Sequence, residues 1–299
     1  YGCRNGVCGV CKGKVLQGAV DHGNAQKHAL SDADIADGMT LFCCAKPKSD
    51  MVIECHEVST ARDIPVKTLP CRVHRLEKLA DDVMAIHLKL PANERLQFLA
   101  GQYIDILQKE GSPRSFSLAN APHDDEFLQL HIRHIPGGNF TRHVFSDMKV
   151  RDILRIKGPL GTLYLREDSD KPIVFVASGT GFAPAKAIIE HALYSGMQRP
   201  MHLYWGVRKA SDFYMLDRIR DWETQGVRFT PVVSDEAWEG RTGFVHQAVL
   251  EDYRDLSGHQ VYACGAPVVV EAAHRDFTAL RGLPPEEFFS DAFAFTPKN

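Results

Sequence analysis

The sequence predicts a multidomain chain of mixed α+β and α/β class. A small glycine- and cysteine-rich unit comes first, an antiparallel β-barrel second and a doubly wound parallel α/β unit last. Three observations carry this. Six of the eight cysteines (Cys3, Cys8, Cys11, Cys43, Cys44 and Cys55) fall in the first fifth of the 299 residues. From Cys71 to about Leu165, short alternating apolar runs are separated by proline and glycine, the pattern of half-buried antiparallel strands. After Asp170, continuous apolar runs alternate with helical stretches, as buried parallel strands require. The expected divisions are residues 1–58, a linker over 59–67, then 68–168 and 169–299.

Composition narrows the function. Apolar residues at 44% and charged residues at 24% are those of a soluble globular protein. A net charge of -3 leaves no basic stripe, which argues against nucleic acid as a partner. No apolar run approaches the roughly 20 residues of a spanning helix, and no amino-terminal signal segment is visible. A cytoplasmic monomer without membrane insertion is the expectation. The chain begins Tyr1-Gly2-Cys3, already inside its densest cysteine cluster, and reads as a fragment that has lost an upstream segment.

In the first unit, Cys3, Cys8 and Cys11 have the C-x4-C-x2-C spacing of a plant-type [2Fe–2S] loop, which a distant fourth cysteine completes. Gly2, Gly6 and Gly9 let such a loop bring backbone N–H groups toward the sulfurs. The fourth ligand lies in Leu41-Phe42-Cys43-Cys44-Ala45-Lys46-Pro47. A zinc site is the competing reading. It usually pairs ligands two to four residues apart on both sides, and the adjacent Cys43 and Cys44 would strain it. Cys55 and Cys71 read as small core residues. Residues 59–70 carry two prolines and few large apolar residues, the composition of a linker.

In the second unit the strand signals are Val83-Met84-Ala85-Ile86-His87-Leu88, Gln102-Tyr103-Ile104-Asp105-Ile106 and Leu128-Gln129-Leu130-His131-Ile132, those of a barrel or sandwich. Arg114-Ser115-Phe116-Ser117 follows a turn. Its arginine fork can pair with a phosphate, its aromatic can stack on a flavin ring and its serine can reach a ring nitrogen. Ile132-Arg133-His134-Ile135-Pro136-Gly137-Gly138-Asn139-Phe140-Thr141 then places a glycine pair before a helix expected over 141–147. Backbone N–H groups at that helix start form an anion site, and Thr141 is equally suited to cap it.

In the third unit, Ile173-Val174-Phe175-Val176-Ala177-Ser178-Gly179-Thr180-Gly181-Phe182-Ala183-Pro184 reads as strand, glycine turn and helix, with the helix expected over 185–194. The turn lets amides approach a pyrophosphate, and Pro184 suits the first helical position. Further strands are expected over 201–205, 227–233 and 260–263. Tyr262-Ala263-Cys264-Gly265-Ala266-Pro267 closes the last of these, placing Cys264 at a strand's carboxyl end, where ligands bind in doubly wound sheets. A buried thiol without a role is the plainer alternative.

These elements in this order resemble the ferredoxin–NAD(P)H reductase family, in particular members with an amino-terminal plant-type ferredoxin domain. Those include oxygenase reductase components of the benzoate dioxygenase reductase type, and the stretches 41–50 and 114–122 are most similar to the CDP-deoxyglucoseen reductases. The resemblance implies a partial β-grasp ferredoxin domain, an FAD-binding β-barrel and an NAD-binding α/β domain. It implies Cys3, Cys8, Cys11 and Cys43 as cluster ligands, because the family's Cys-x-x-x-Pro pattern fits Cys43 to Pro47 and not Cys44. Arg114, Ser115, Phe116 and Ser117 match its flavin motif, with Phe116 in place of a tyrosine. Arg133, Gly138, Asn139, Phe140 and Thr141 fall at the flavin pyrophosphate loop. Gly179, Thr180, Gly181 and Pro184 match the dinucleotide loop, with Ser178 where a glycine is common. Cys264 and Gly265 match the Cys-Gly motif beside the hydride path, and Phe293 resembles the terminal aromatic near the flavin. Family ferredoxin domains carry a strand, hairpin and helix before the first ligand, so a protein of this sequence alone is expected to hold its cluster poorly.

The implied activity runs from a nicotinamide hydride to FAD and then, one electron at a time, through the [2Fe–2S] cluster to an external acceptor. Ser117 would position the flavin's reactive edge and Cys264 the nicotinamide, neither acting as a strong acid or base. The acceptor would be an oxygenase or a deoxysugar dehydrase component. NADH is favoured over NADPH, because Val233-Ser234-Asp235-Glu236 puts two carboxylates where phosphate-binding relatives place a basic residue, although Arg208 and Lys209 could bind a phosphate. The competing functions are a reductase that releases reduced flavin and a zinc-stabilised nucleotide-binding module.

Overall fold

The computed structural model describes residues 6, 7, 9, 11–54, 64–108 and 111–293. In the first unit, β1 (Lys12–Gln17) lies between β3 (Met39–Leu41) and β5 (Val52–Ile53), antiparallel to both. A short ladder joins β2 (Val20–Asp21) to β4 (Lys46–Pro47). Helix α1 (Asp32–Ala36) starts on a reciprocal cap: Ser31 Oγ accepts from Asp34 N–H while Asp34 accepts from Ser31 N–H. Ala29, Leu30 and Leu41 form a small core against which Cys11, Cys43 and Cys44 pack.

The second unit is a barrel of β6 (Lys67–Ala80), β7 (Val83–Lys89), β8 (Tyr103–Leu107), β9 (Arg114–Ser117), β10 (Leu128–Arg133) and β11 (Ile153–Leu160). The strands run in the order β10-β7-β6-β11-β8-β9, and a bridge from Leu118 to Leu130 joins the two ends. Period-2 burial drives it: Leu69, Cys71 and Val73 of β6 are buried and alternate with exposed Thr68, Pro70 and Arg72. Cys71 is thus a core residue, its thiol pushed up to about 12 by burial. The linker reading of 59–70 runs too far, since residues 67–70 already belong to β6. Pro70 is tolerated because it pairs only with Arg155 of β11; pairing with β7 begins at Arg72, so no ladder bond is lost on that side. Helix α2 (Asn139–Ser146) follows β10.

The third unit is a parallel sheet ordered β15-β14-β13-β12-β16-β17. Its strands are β12 (Ile173–Ser178), β13 (Met201–Val207), β14 (Arg228–Val233), β15 (Arg241–Thr242), β16 (Gln260–Gly265) and β17 (Phe288–Ala292). Helices α3 (Phe182–Tyr194), α4 (Leu216–Thr224), α5 (Val245–Asp252) and α6 (Pro267–Arg281) connect them. The chain moves outward from β12 to β15, then returns to the other side of β12 with β16, so the order reverses between β12 and β16 and opens a crevice there. The edge strands β15 and β17 carry no strong apolar signal and were not expected.

The barrel and the sheet share one core. Val83, Ala100, Leu163 and Leu165 of the barrel pack in the same cluster as Phe175, Ile188 and Trp205. The opposite sheet face is covered by Val249, Val270, Ala273 and Phe277 of α5 and α6. No helix among the described residues is long and apolar enough to cross a membrane.

Candidate active site and cofactor grooves

The crevice is walled by backbone. A tight turn, Gly179–Gly181, links β12 to α3, with Gly179 at φ 55° and its carbonyl accepting from Trp205 Nε1 at 2.8 Å. A Cβ on Gly181 would stand 2.1 Å from the Cys264 carbonyl oxygen. One on Gly265, at φ 126°, would stand 2.4 Å from the Ser178 oxygen. Glycine at both positions therefore lets two strand ends close on each other. Helix α3 begins at Phe182, three residues ahead of expectation, so Pro184 occupies the third helical position rather than the first. It is tolerated because the first four N–H groups of a helix have no intrahelical partner. Thr180 is half-buried in the turn.

Three side chains from distant segments meet beside this turn. Ser117, at the end of β9, donates to Asp291 Oδ2 at 3.4 Å, and both residues are buried. Asp291 in β17 is the register partner of Cys264 in β16. Cys264 is fully buried on the sheet face that meets the barrel, with Phe182 and Tyr262 in the same cluster. Burial pushes its thiol well above the ordinary range, and the Asp291 charge adds to the effect. Phe293 is tied to the same place, its N–H donating to the Gly265 carbonyl at 2.8 Å. Asp291 was missed from the sequence, where it stands after Ser290 in a short edge strand that carries only a weak apolar signal.

On the barrel, Arg114 is half-buried and turns back on its own loop, donating to the carbonyls of Ser112 and Pro113 at 2.9 and 3.2 Å. Ser115 donates to Asp105 at 2.6 Å. The Phe116 and Phe140 rings lie 5.5 Å apart, bringing the two flavin motifs together. Helix α2 starts at Asn139 with Gly138 as its cap, two residues before the expected start, and no side chain caps it. Thr141 is therefore inside the first turn. Its hydroxyl accepts from Ile135 N–H at 3.1 Å and so braces the loop. Asn139 is exposed. Arg133 is brought to the nucleotide turn: a Cβ on Gly179 would stand 3.4 Å from its Nη1. Its buried Nη2 makes no hydrogen bond, and its Nε makes none but lies 3.4 Å from Asp82 Oδ2. Buried guanidinium N–H groups beside a glycine turn, next to an uncapped helix start, fit a phosphate-bearing dinucleotide.

In the cysteine-rich unit, Cys43 N–H donates to Cys11 Sγ at 3.4 Å, so these two residues converge. Burial, with a hydrogen bond that the Cys11 thiol donates to the Cys43 sulfur, pushes the Cys11 thiol up to about 12. Iron is the kind of cation that reverses such a shift. The Cys44 thiol points elsewhere, donating to the carbonyls of His22 and Leu41 at 3.5 and 3.6 Å. Gly6 and Gly9, at φ 71° and 70°, keep the loop close. Cys3, Cys8 and Cys55 lie outside the described residues.

A glycine-walled dinucleotide crevice, a barrel groove with paired aromatics and a cysteine loop define a class, that of a flavin- and nicotinamide-dependent oxidoreductase with an iron–sulfur unit. Comparison with known proteins gives the same composition. Family models match residues 1–48 (2Fe-2S iron-sulfur cluster binding domain), 70–164 (oxidoreductase FAD-binding domain) and 175–275 (oxidoreductase NAD-binding domain). The chain is 42% identical over 297 residues to the CDP-6-deoxy-L-threo-D-glycero-4-hexulose-3-dehydrase reductase of Yersinia pestis, covering 98% of this chain and 88% of that one. It is 33% identical over 304 residues to reductase component 2 of the terephthalate 1,2-dioxygenase of Comamonas sp, covering 99% and 89%. Among solved structures it resembles the Amycolatopsis cytochrome P450 reductase GcoB, with a TM-score of 0.81, 36% identity and coverage of 98% and 90%. The chain belongs to the ferredoxin–NAD(P)H reductase family, among the members that carry a plant-type [2Fe–2S] domain. It is an NAD(P)H-dependent iron–sulfur flavoprotein reductase. The iron–sulfur match favours this activity over a flavin-releasing reductase or a zinc-stabilised module.

Proposed function

We propose that this reductase takes hydride from NADH and delivers single electrons to the dehydrase of a nucleotide-linked deoxysugar. The observation that carries the choice of acceptor is its 42% identity, over nearly its whole length, to a hexulose-dehydrase reductase, against 33% to a dioxygenase reductase component. A bound flavin supplies the conversion between a two-electron hydride and single electrons. The protein's own part is placement. Ser117, held by Asp291, would place its hydroxyl oxygen toward a bound flavin, and the neutral Cys264 thiol would pack where a nicotinamide enters. Arg114, Ser115, Phe116 and residues 138–141 hold the flavin, with Phe293 against it. Arg133, Gly179, Thr180, Gly181, Pro184 and Gly265 line the dinucleotide path, and Cys3, Cys8, Cys11 and Cys43 hold the cluster.

The NADH preference is supported by Asp235 and Glu236 at the crevice rim, where Glu236 accepts from Ala210 N–H at 2.6 Å. The protein acts as a cytoplasmic monomer of three units divided near residues 58, 67 and 168. NADH-driven reduction of a purified CDP-hexulose dehydrase, compared with a terephthalate dioxygenase, tests the assignment. Electron delivery to the dehydrase at the higher kcat/KM is expected. Delivery only to the oxygenase, or a higher kcat/KM with NADPH, refutes the corresponding half of it.

A further inference from the structure

Asp82 occupies the tight turn between β6 and β7, its backbone carbonyl accepting from His134 N–H at 2.7 Å. Its side chain leaves the barrel and reaches the nucleotide domain. Asp82 Oδ2 is 3.4 Å from Arg133 Nε and accepts from Arg208 Nη2 at 3.2 Å. Arg133 lies against the Gly179 turn, where the pyrophosphate belongs. Arg208 follows β13, on the crevice rim. Its carbonyl accepts from Asp235 N–H at 2.9 Å, so it shares that rim with the carboxylates after β14. Asp212 Oδ2 is a second acid 3.6 Å from Arg208 Nε. One carboxylate oxygen thus holds two guanidiniums, one against the Gly179 turn and one on the rim after β13.

We propose that Asp82, although a flavin-barrel residue, is a specificity-determining residue for the coenzyme: it withholds Arg208 from a 2′-phosphate and so favours NADH. The inference rests on the NADH reading above. NADH and NADPH differ only in the 2′-phosphate. The contact of Arg133 with the shared pyrophosphate therefore cancels in any comparison of the two, and the Arg208 contact does not. Arg208 is 58% exposed, so its head is free to swing and only its carboxylate partners restrain it. A phosphate arriving among Asp212, Asp235 and Glu236 must first break the Asp82 contact to recruit this guanidinium. This contact also ties the nucleotide rim to the barrel, which Asp212, on the nucleotide domain itself, does not do.

The test uses flavin-loaded full chain and two unreactive fragments, ADP-ribose and 2′-phospho-ADP-ribose, titrated by calorimetry. Asp82→Asn should shift the affinity ratio toward the phosphorylated fragment by about fivefold, the upper range for an exposed ion pair. That shift should vanish when Asp82→Asn is made in an Arg208→Ala background, and the kcat/KM ratio of NADPH to NADH should follow. An unmoved ratio overturns the proposal. So does an equal shift in the Arg208→Ala background, which would reflect loss of negative charge alone. Arg208→Ala by itself, a change at an exposed rim, should leave the ratio within about twofold; a tenfold loss for the phosphorylated fragment means that Arg208 already serves it, and the proposal fails. The wild-type ratio judges the NADH reading separately: preference for the phosphorylated fragment refutes that reading, while the Asp82→Asn shift still decides the role of Asp82.

Discussion

Replacing Lys186 with methionine should loosen the junction between barrel and nucleotide domain more than any surface change. Lys186 and Glu190, one turn apart on α3, pair at 2.7 Å with each side chain only 8% exposed. Lys186 Nζ also donates to the Ala119 carbonyl at 3.0 Å and to Gln129 Oε1 at 3.4 Å, both on the barrel. The other Glu190 oxygen accepts from Arg218 at 2.7 Å, but Arg218 is 53% exposed. Removing one partner of a buried pair costs about 3–5 kcal/mol, and the surviving Arg218 contact places Lys186→Met near 3 kcal/mol. At about 2–4 °C per kcal/mol for units of this size, the FAD-loaded protein should melt about 6–12 °C lower. Lys186→Met with Glu190→Leu removes both charges and should recover to within about 1 kcal/mol of wild type. Differential scanning calorimetry and urea unfolding of both variants decide it. A single variant costing under about 1 kcal/mol, or a double variant no better than the single, would refute the reasoning.

Ser117→Ala should slow flavin reduction by NADH on the order of 100-fold in stopped flow with flavin content intact, the loss typical of one preorganised polar group; a change under about threefold removes Ser117 from the site. Gly265→Ala forces a Cβ to 2.4 Å from the Ser178 oxygen at φ 126° and should cost about 3 kcal/mol in urea unfolding, with a loss under about 1 kcal/mol counting against the close strand contact. After reconstitution with iron and sulfide, Cys43→Ser should lose the [2Fe–2S] absorption bands while NADH still reduces the flavin, and Cys44→Ala should keep them; the reverse pattern would exchange the two assignments. His202, between Thr230 and Tyr253, is lowered to about 4 by burial, with Arg228 adding, from 6.5 when unfolded. Below pH 6.5 the unfolded chain takes up a proton that the folded chain refuses, so stability present above that pH is lost toward pH 4. Between pH 7.5 and 5 this loss is about 2 kcal/mol, and His202→Gln should show an acid loss smaller by that amount. Equal acid losses in the two proteins would show that His202 does not carry the effect.

Local features were legible in the sequence because they are written in local periodicity and backbone freedom. The apolar run before Gly179 reads as a buried strand, the alternation from Val83 to Leu88 as a half-buried one, and Cys3, Cys8 and Cys11 as an iron–sulfur loop, each within a dozen residues. Helix starts were less legible. Gly138 and Gly181 cap α2 and α3, and the residues after each satisfy the turn in ways that propensity does not encode. What only tertiary structure decided is which distant side chains share a site. Ser117 and Asp291 are 174 residues apart, and nothing local to either marks the pairing. Asp82, Arg133 and Arg208 read separately as ordinary charges in turns and strand ends. They meet because Val83, Ala100 and Leu163 bury against Phe175 and Ile188, and that apolar docking is non-directional in sequence. Once it fixes the barrel on the sheet, short-range polar contacts follow from geometry. The cofactor classes were thus determined by residue types and spacing. The gathering of Ser117, Asp291 and Cys264 at one crevice was determined by the packing of two domains that no local pattern describes.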